Sequence, residues 1–221
     1  MTNQDSDGLF DGEWEDRGEL TWNEADWERY LADQEKAVRD YLAAYEAAGQ
    51  APDRIDQVAR QLGWESAEEA GAEEPEVEPL ETEEEFPDDW EPYTLHRNPV
   101  YVATKALYLT LIARWEQACA RIPGLPAPVA LGLIGTLHRG EDAALHGIHA
   151  LEMGDYTLAI CFFKRALREL NASMAALADL AGRPELAGFR AFATPRLFDL
   201  REIWLRVMNE CRVESDADDS E

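Results

Sequence analysis

Apolar residues recur every three or four positions along several stretches of the chain, a spacing typical of one face of an α-helix. The first stretch begins after Asn23 and ends at Gly49. Asn23 followed three residues later by Asp26 is close to a capping box, and glycine commonly ends a helix. A shorter stretch with the same spacing covers residues 53–62. The pattern therefore predicts a helical hairpin over residues 23–63.

Four more apolar faces with helical spacing lie within residues 98–212. The turns between them are marked by Pro126 and Pro128, by Gly154, and by Gly182 with Pro184. Thr194 followed by Pro195 has the residue types of an N-cap and a first helical position, so the fourth helix is predicted to begin there. No segment alternates apolar and polar residues and ends in hairpin residues. We therefore predict an all-α fold with a four-helix core, arranged as an antiparallel bundle.

Most of the acidic residues lie outside this predicted core. Residues 1–92 hold 30 Asp and Glu against 6 Lys and Arg, whereas residues 93–212 hold 11 against 14. Between positions 65 and 91 there are 14 acidic residues and no base, so mutual repulsion predicts an extended linker. The chain is thus divided into a disordered acidic N-terminus (1–22), the helical hairpin (23–63), an acidic linker (64–97), the four-helix domain (98–212) and an acidic tail (213–221).

The composition argues against several classes of function. A formal net charge of −26 disfavours direct binding to nucleic acid, where basic side chains must replace counterions. The longest uncharged apolar stretch, residues 122–137, contains three prolines and is too short to span a bilayer, so no membrane association is expected. There is no glycine-rich phosphate loop, nucleophile elbow, Cys-x-x-Cys pair or His-Glu-x-x-His motif. We expect a protein that is not an enzyme and needs no cofactor.

The cellular location is predicted from the N-terminus and the cysteines. The first residues are acidic and lack the basic and apolar regions of a secretory signal. Three cysteines, Cys119, Cys161 and Cys211, are an odd number, and each falls in an apolar helical stretch. They are expected to be small buried thiols rather than disulfide partners, which fits a reducing compartment. A cytoplasmic location is therefore expected.

One predicted helical hairpin has the residue spacing of a known repeat. Its first helix holds Gly147 and Ala150, its turn Gly154, Asp155 and Tyr156, and its second helix Ala159, Phe163, Ala166 and Leu167. In this spacing residues 140–173 resemble a single tetratricopeptide repeat. Ala143, His146 and Asn171 depart from the repeat pattern, and no second copy lies 34 residues away. The resemblance implies a core built of such hairpins, as an alternative to a simple bundle, and a peptide-binding or scaffold role.

A stripe of histidine and acidic residues follows one predicted helix. It consists of His138, Glu141, Asp142, His146, His149 and Glu152. At about 100° per residue these side chains share one sector of the helix, and His146 and His149 are close enough to reach one ion. Imidazole and carboxylate groups are ligands for zinc, iron and manganese. The alternatives are a solvated polar face and a site for a divalent transition metal.

Two further groups of residues are candidates for partner binding. Trp14, Trp22, Phe86 and Trp90 are aromatic residues among acids, a composition suited to a linear motif that anchors in a partner's groove. Lys164, Arg165 and Arg168 form a basic face on the third core helix. The alternatives there are a solvated face and a docking surface for an acidic segment, with the chain's own acidic arm as the nearest candidate.

These observations give one main functional hypothesis and two alternatives. The main hypothesis is a protein-interaction or scaffold module with an acidic arm and an unidentified protein partner. The first alternative is a metal-binding helical bundle that uses the histidine and glutamate stripe. The second is an acidic mimic of nucleic acid that blocks a basic site on another protein.

Overall fold

The computed structural model describes residues 22–64 and 95–218. Residues 1–21 of the predicted disordered N-terminus and most of the predicted linker therefore lie outside the described residues. Six α-helices and no strand are found in the described part of the chain, which confirms the all-α prediction. No helix in these two ranges is both long and apolar enough to cross a membrane.

The predicted N-terminal hairpin is confirmed, with α1 at Glu24–Ala48 and α2 at Arg54–Gln61. Asn23 caps α1 because its side-chain oxygen accepts from the backbone N–H groups of Ala25 and Asp26 at 2.8 and 3.2 Å. The Asp26 carboxylate accepts in return from the N–H of Asn23, which completes the capping box. Gly49 ends α1 with a φ of 63°, a conformation that a side chain disfavours.

The predicted core is formed by α3 at Pro99–Arg121, α4 at Ala127–Glu152, α5 at Tyr156–Asp179 and α6 at Ala187–Asp218. Asn98 and Asp155 cap α3 and α5 through side-chain bonds to backbone N–H groups. Short 3₁₀ turns occur at Leu95–Arg97, Leu180–Gly182 and Pro184–Leu186.

The predicted start of the last helix is wrong. Thr194 and Pro195 lie inside α6, which begins at Ala187 and continues to Asp218, six residues beyond the predicted boundary. Proline has no N–H group, so the Ala191 carbonyl, four residues earlier in α6, lacks its usual donor. The Thr194 hydroxyl donates to the Arg190 carbonyl at 2.9 Å, and the Pro195 carbonyl accepts from Arg54 at 3.0 Å. The helix continues through the pair because Ala193, Leu197 and Leu200 are buried in the core, and this packing outweighs the lost bond.

The N-terminal hairpin and the four later helices share one hydrophobic core. Val38, Tyr41, Ala44, Tyr45 and Val58 of the hairpin are buried in the same cluster as the interior residues of α3 to α6. Near its centre, Trp204 donates from its ring nitrogen to the Thr104 hydroxyl at 3.1 Å and stacks on Tyr108. The hairpin is therefore a packed part of the folded unit.

Helices α4 and α5 form the hairpin in which the repeat-like spacing occurs. A methyl group added at Gly147 would lie 3.2 Å from the Phe163 ring, so the glycine allows the two helices to approach closely. Ala150, Ala159 and Ala166 are also buried. The close packing of small residues against an aromatic ring, which the resemblance implies, is present in this hairpin.

Candidate functional site

A groove of about 820 Å³ lies where α2 and the end of α1 face α3 and α6. Its apolar lining includes Ile55, Ala59, Trp64, Val100, Ile203 and Val207. α2 supplies one wall, and the first turn of α3 and the second half of α6 supply the other. Concave sites with apolar linings and few polar groups are where proteins most often bind partners or ligands.

Two aromatic residues shape the groove. The Trp64 ring stacks on Tyr41 with the centroids 5.7 Å apart, and Trp64 remains partly exposed. The Tyr41 hydroxyl is buried and has no hydrogen-bond partner within residues 22–64 and 95–218. Burial, followed by the nearby charge of Asp199, raises the pKa of Tyr41 well above its usual value, so the phenol is neutral at physiological pH. The groove thus contains a broad aromatic surface with a neutral polar group beneath it.

Charged residues line the rim of the groove. Arg206 forms an ion pair with Asp56 across the rim and also donates to the Glu202 carboxylate, at 3.0 Å. The hydrogen bond to Asp56 raises the pKa of Arg206 further above its already high value, so this arginine stays charged. Glu210 also lines the groove. Of the residues that line the groove itself, Asp56 and Glu210 against Arg206 leave a small excess of negative charge.

A buried polar cluster, which we call the hairpin clip (Tyr45, Arg54 and Asp199), fixes the hairpin to α6. The Arg54 Nε lies 2.5 Å from the Asp199 carboxylate, and the Tyr45 hydroxyl donates to the same carboxylate oxygen. Burial and the hydrogen bond to Asp199 raise the pKa of Tyr45. Arg54 also donates to the carbonyls of Pro195 and Gly49. The clip thereby places α2 at the angle that opens the groove.

A second ion pair holds the end of α1 to α6. Arg196 is buried and pairs with Glu46, and its guanidinium lies 3.5 Å from the centre of the Phe192 ring. Arg196 is therefore part of the contact between α1 and α6 and not an exposed base.

The structure separates the residues of the histidine and acidic stripe. Glu141 pairs with Lys105 of α3 at 2.8 Å, and Glu152 accepts from the Asn98 side chain. His146 lies 2.8 Å from the Asp142 carbonyl and stacks on Phe162, while His138 and His149 are exposed. In the described ranges no three His, Cys, Asp or Glu side chains are grouped so that they could hold a metal ion.

The predicted partner-binding residues fall in different places. Lys164, Arg165 and Arg168 are exposed on α5, and Arg165 lies over the Phe162 ring at 5.4 Å. Trp22, which lies just before α1, packs edge-to-face on Trp27 in the first turn of that helix. Trp14, Phe86 and Trp90 lie outside the described residues. The three cysteines are free thiols, but of the three that were expected to be buried only Cys211 is; Cys119 is half-buried and Cys161 is exposed.

The groove and the clip were missed by the sequence analysis. Asp199 and Arg196 are charged residues within the apolar face of α6, close to the fully buried Leu197 and Leu200. A buried charge requires a partner, so this interruption of the apolar pattern is the signal that could have located the clip. The partner, Arg54, lies 145 residues earlier and cannot be recognised from local spacing.

No known protein family, curated protein or solved structure matches this chain. The tetratricopeptide resemblance is thus limited to the packing of one hairpin. Any functional assignment depends on the geometry and chemistry of the chain itself.

Proposed function

We propose that this protein is a non-catalytic interaction module that binds a segment of a protein partner in the groove between α2, α3 and α6. The observation that supports this function is the size and lining of the groove, in which Trp64, Ile55 and Val100 remain half-buried beside a charged rim. Concave sites with such partly accessible apolar side chains are where partners commonly bind. A cytoplasmic location is part of the proposal.

The chemistry of the groove suggests the kind of segment that fits. Aliphatic or aromatic side chains of the partner would contact Ile55, Trp64 and Val207, and a basic residue would face Asp56 and Glu210. The net charge of −26 would attract a basic partner over long distances and increase the rate of association. We therefore infer an amphipathic partner segment with positive charge.

The test blocks the groove without disturbing the core. Ala59 is only partly buried and lines the groove, so Ala59→Arg should fill it, whereas Leu131→Arg makes the same charge change at an exposed position of α4. Full-length wild-type protein and both variants are used to capture partners from native lysate, with identification by mass spectrometry. We expect a partner that wild type and Leu131→Arg retain and that Ala59→Arg loses.

A set of captured proteins that is the same for both variants would contradict the groove as the binding site. If those proteins were also released by moderate salt, the acidic segments would be the better candidates, as in the nucleic-acid-mimic hypothesis. That hypothesis, the metal-binding hypothesis and self-docking of the acidic arm stay predictions.

A further inference from the structure

A second cavity, at the opposite end of α3, has positive charge beside an apolar floor. Its volume is about 450 Å³, and it lies between the last turns of α3 and the first turns of α6. Ile122, Phe189 and Phe192 provide apolar surface, and Arg114 and Arg121 stand beside it, seven residues apart on one face of α3. We call this the arginine cavity.

The two arginines of the cavity, Arg114 and Arg121, form no ion pair within residues 22–64 and 95–218. This is so although the whole sequence holds 46 acidic residues against 20 Lys and Arg. The Arg114 guanidinium lies 5.0 Å from the centre of the Phe192 ring, which leaves its donors available. Glu185 is the one acid in the lining, and Arg183 pairs with it at 3.5 Å. The cavity is therefore suited to a ligand that combines carboxylates with an aromatic group.

A short sequence with that chemistry occurs in the chain itself. Residues 10–15 read Phe-Asp-Gly-Glu-Trp-Glu, and residues 86–91 read Phe-Pro-Asp-Asp-Trp-Glu. In both, a phenylalanine and a tryptophan four residues apart enclose acids and are followed by glutamate. The aromatic side chains match the apolar floor of the arginine cavity, and the carboxylates match Arg114 and Arg121.

We propose that residues 10–15 of one copy of this chain bind in the arginine cavity of a second copy. A second copy is favoured over the same chain because of the length of α1. Glu24, the first residue of α1, lies about 33 Å along the helix from Glu46. Glu46 marks the end of α1 near the cavity, because it pairs with Arg196, which lies over the Phe192 ring. Trp14 precedes Glu24 by ten residues, which span at most about 35 Å when fully extended. Within one chain, Trp14 could reach the arginine cavity only if the residues between it and α1 were fully extended. The same residue of a second copy has no such constraint.

This contact joins different surfaces of the two copies. Each chain offers one cavity and one copy of residues 10–15, so two chains can either exchange these segments reciprocally in a two-fold symmetric dimer or join head-to-tail. It also goes beyond the proposed function, since the arginine cavity and the groove share no lining residue. The two proposals can therefore fail independently.

Peptide binding tests the recognition step. A fluorescein-labelled peptide of residues 7–17 is titrated with dilute full-length protein, and fluorescence anisotropy is measured. We expect saturable binding that weakens at least tenfold in the Arg114→Gln/Arg121→Gln variant and weakens with added salt. The control variant Arg165→Gln/Arg168→Gln removes two exposed arginines of α5, and it should bind like wild type. Ala59→Arg, which fills the groove, should also bind like wild type.

Three results of the peptide experiment would overturn the proposal. The first is no binding to wild type, and the second is equal loss in both arginine variants. The third is at least tenfold tighter binding of a peptide of residues 83–93, which would assign the cavity to the other motif. Circular dichroism checks that each variant keeps the helical content and unfolding temperature of wild type.

Complementation tests whether the occupant is a second copy. Sedimentation velocity of wild type should show association that increases with concentration, and Trp14→Ala and Arg114→Gln/Arg121→Gln should each sediment as monomers. Mixing these two variants should restore a dimer, because one supplies an intact cavity and the other an intact motif. Wild type that remains monomeric over the concentrations at which the peptide binds would overturn the assignment to a second copy.

Discussion

At the scale of single residues, the close contact between Gly140 and Tyr108 limits what α4 can tolerate. A methyl group at position 140 would lie 2.5 Å from the Tyr108 hydroxyl, which is fully buried and has no hydrogen-bond partner in the described part of the chain. Side chains deep in a packed core cannot shift without disturbing their neighbours. The absence of a side chain at Gly140 therefore leaves the space that the Tyr108 hydroxyl occupies.

We predict that Gly140→Ala lowers the free energy of unfolding by about 2 kcal/mol, because it overfills the core. Tyr108→Phe in the same chain should restore most of that loss, since it removes the atom that clashes. Urea unfolding of the single and double variants measures both effects. Gly132→Ala on the same helix is the control: nothing lies near its added methyl group, so it should gain up to about 1 kcal/mol from helix propensity. If Gly140→Ala and Tyr108→Phe each lowered the free energy of unfolding and the two losses added in the double variant, the proposed clash would be contradicted.

Residue patterns predict local structure in this chain better than they predict distant contacts. The capping box of α1 was visible because Asn23 and Asp26 are three residues apart and act on each other directly. Gly147 and Phe163 were recognised because both belong to one hairpin. The pairing of Arg54 with Asp199 was not predicted, since it depends on how α2 meets α6. The sequence therefore predicts the helices and one hairpin contact, but neither the clip nor the groove.

At the scale of elements, α6 shows how a tertiary contact can override a local signal. Thr194 and Pro195 would end or start a helix in isolation. Here Arg54 of α2 donates to the Pro195 carbonyl, and the Thr194 hydroxyl donates to Arg190. These bonds do not replace the donor that the Ala191 carbonyl loses at Pro195. The wrong prediction of the start of α6 has its physical cause in tertiary packing, because Ala193, Leu197 and Leu200 are buried in the core around the proline.

We predict that Asp199→Ala lowers the free energy of unfolding by about 3 kcal/mol, because it leaves Arg54 buried without its carboxylate. The double variant Arg54→Met/Asp199→Leu should recover much of this loss by replacing the pair with apolar side chains. Chemical denaturation of wild type, Arg54→Met, Asp199→Leu and the double variant gives the coupling between the two residues.

The exposed pair of Arg39 and Glu35, at 3.2 Å on α1, is the control for that cycle. Glu35→Ala should change stability by less than about 0.5 kcal/mol, since solvent screens this pair. An Asp199→Ala variant as stable as Glu35→Ala would show that the clip does not hold the hairpin in place.

At the scale of the whole molecule, several tyrosines link stability to alkaline pH. Burial is the main cause that raises the pKa of Tyr41, Tyr45 and Tyr108. These phenols are neutral in the folded protein at a pH where the unfolded chain, with a tyrosine pKa near 10, has begun to ionise. The stability that these neutral phenols contribute is complete below about pH 10, and it is lost as the pH rises towards their pKa values in the folded protein.

We predict that helical structure is lost as the pH rises above about 10, together with ionisation of these tyrosines. Each buried tyrosine should lower the free energy of unfolding by about 1.4 kcal/mol per pH unit in this range. Absorbance of tyrosinate near 295 nm and circular dichroism, recorded on the same samples, measure the two changes. Tyr108→Phe should make the dependence of stability on pH less steep. Complete tyrosine ionisation with intact helical structure would contradict the prediction.

The distance along the chain between the clip residues has a consequence for synthesis on the ribosome. Tyr45 and Arg54 are made early, whereas Asp199 follows 145 residues after Arg54. At about 5–20 residues per second, roughly 7–30 s pass before the carboxylate exists. During that interval α1 and α2 have neither their ion-pair partner nor the apolar surface of α6. The hairpin can dock on α3, its main neighbour, before α6 exists, but its attachment to α6 through the clip waits until translation is nearly complete.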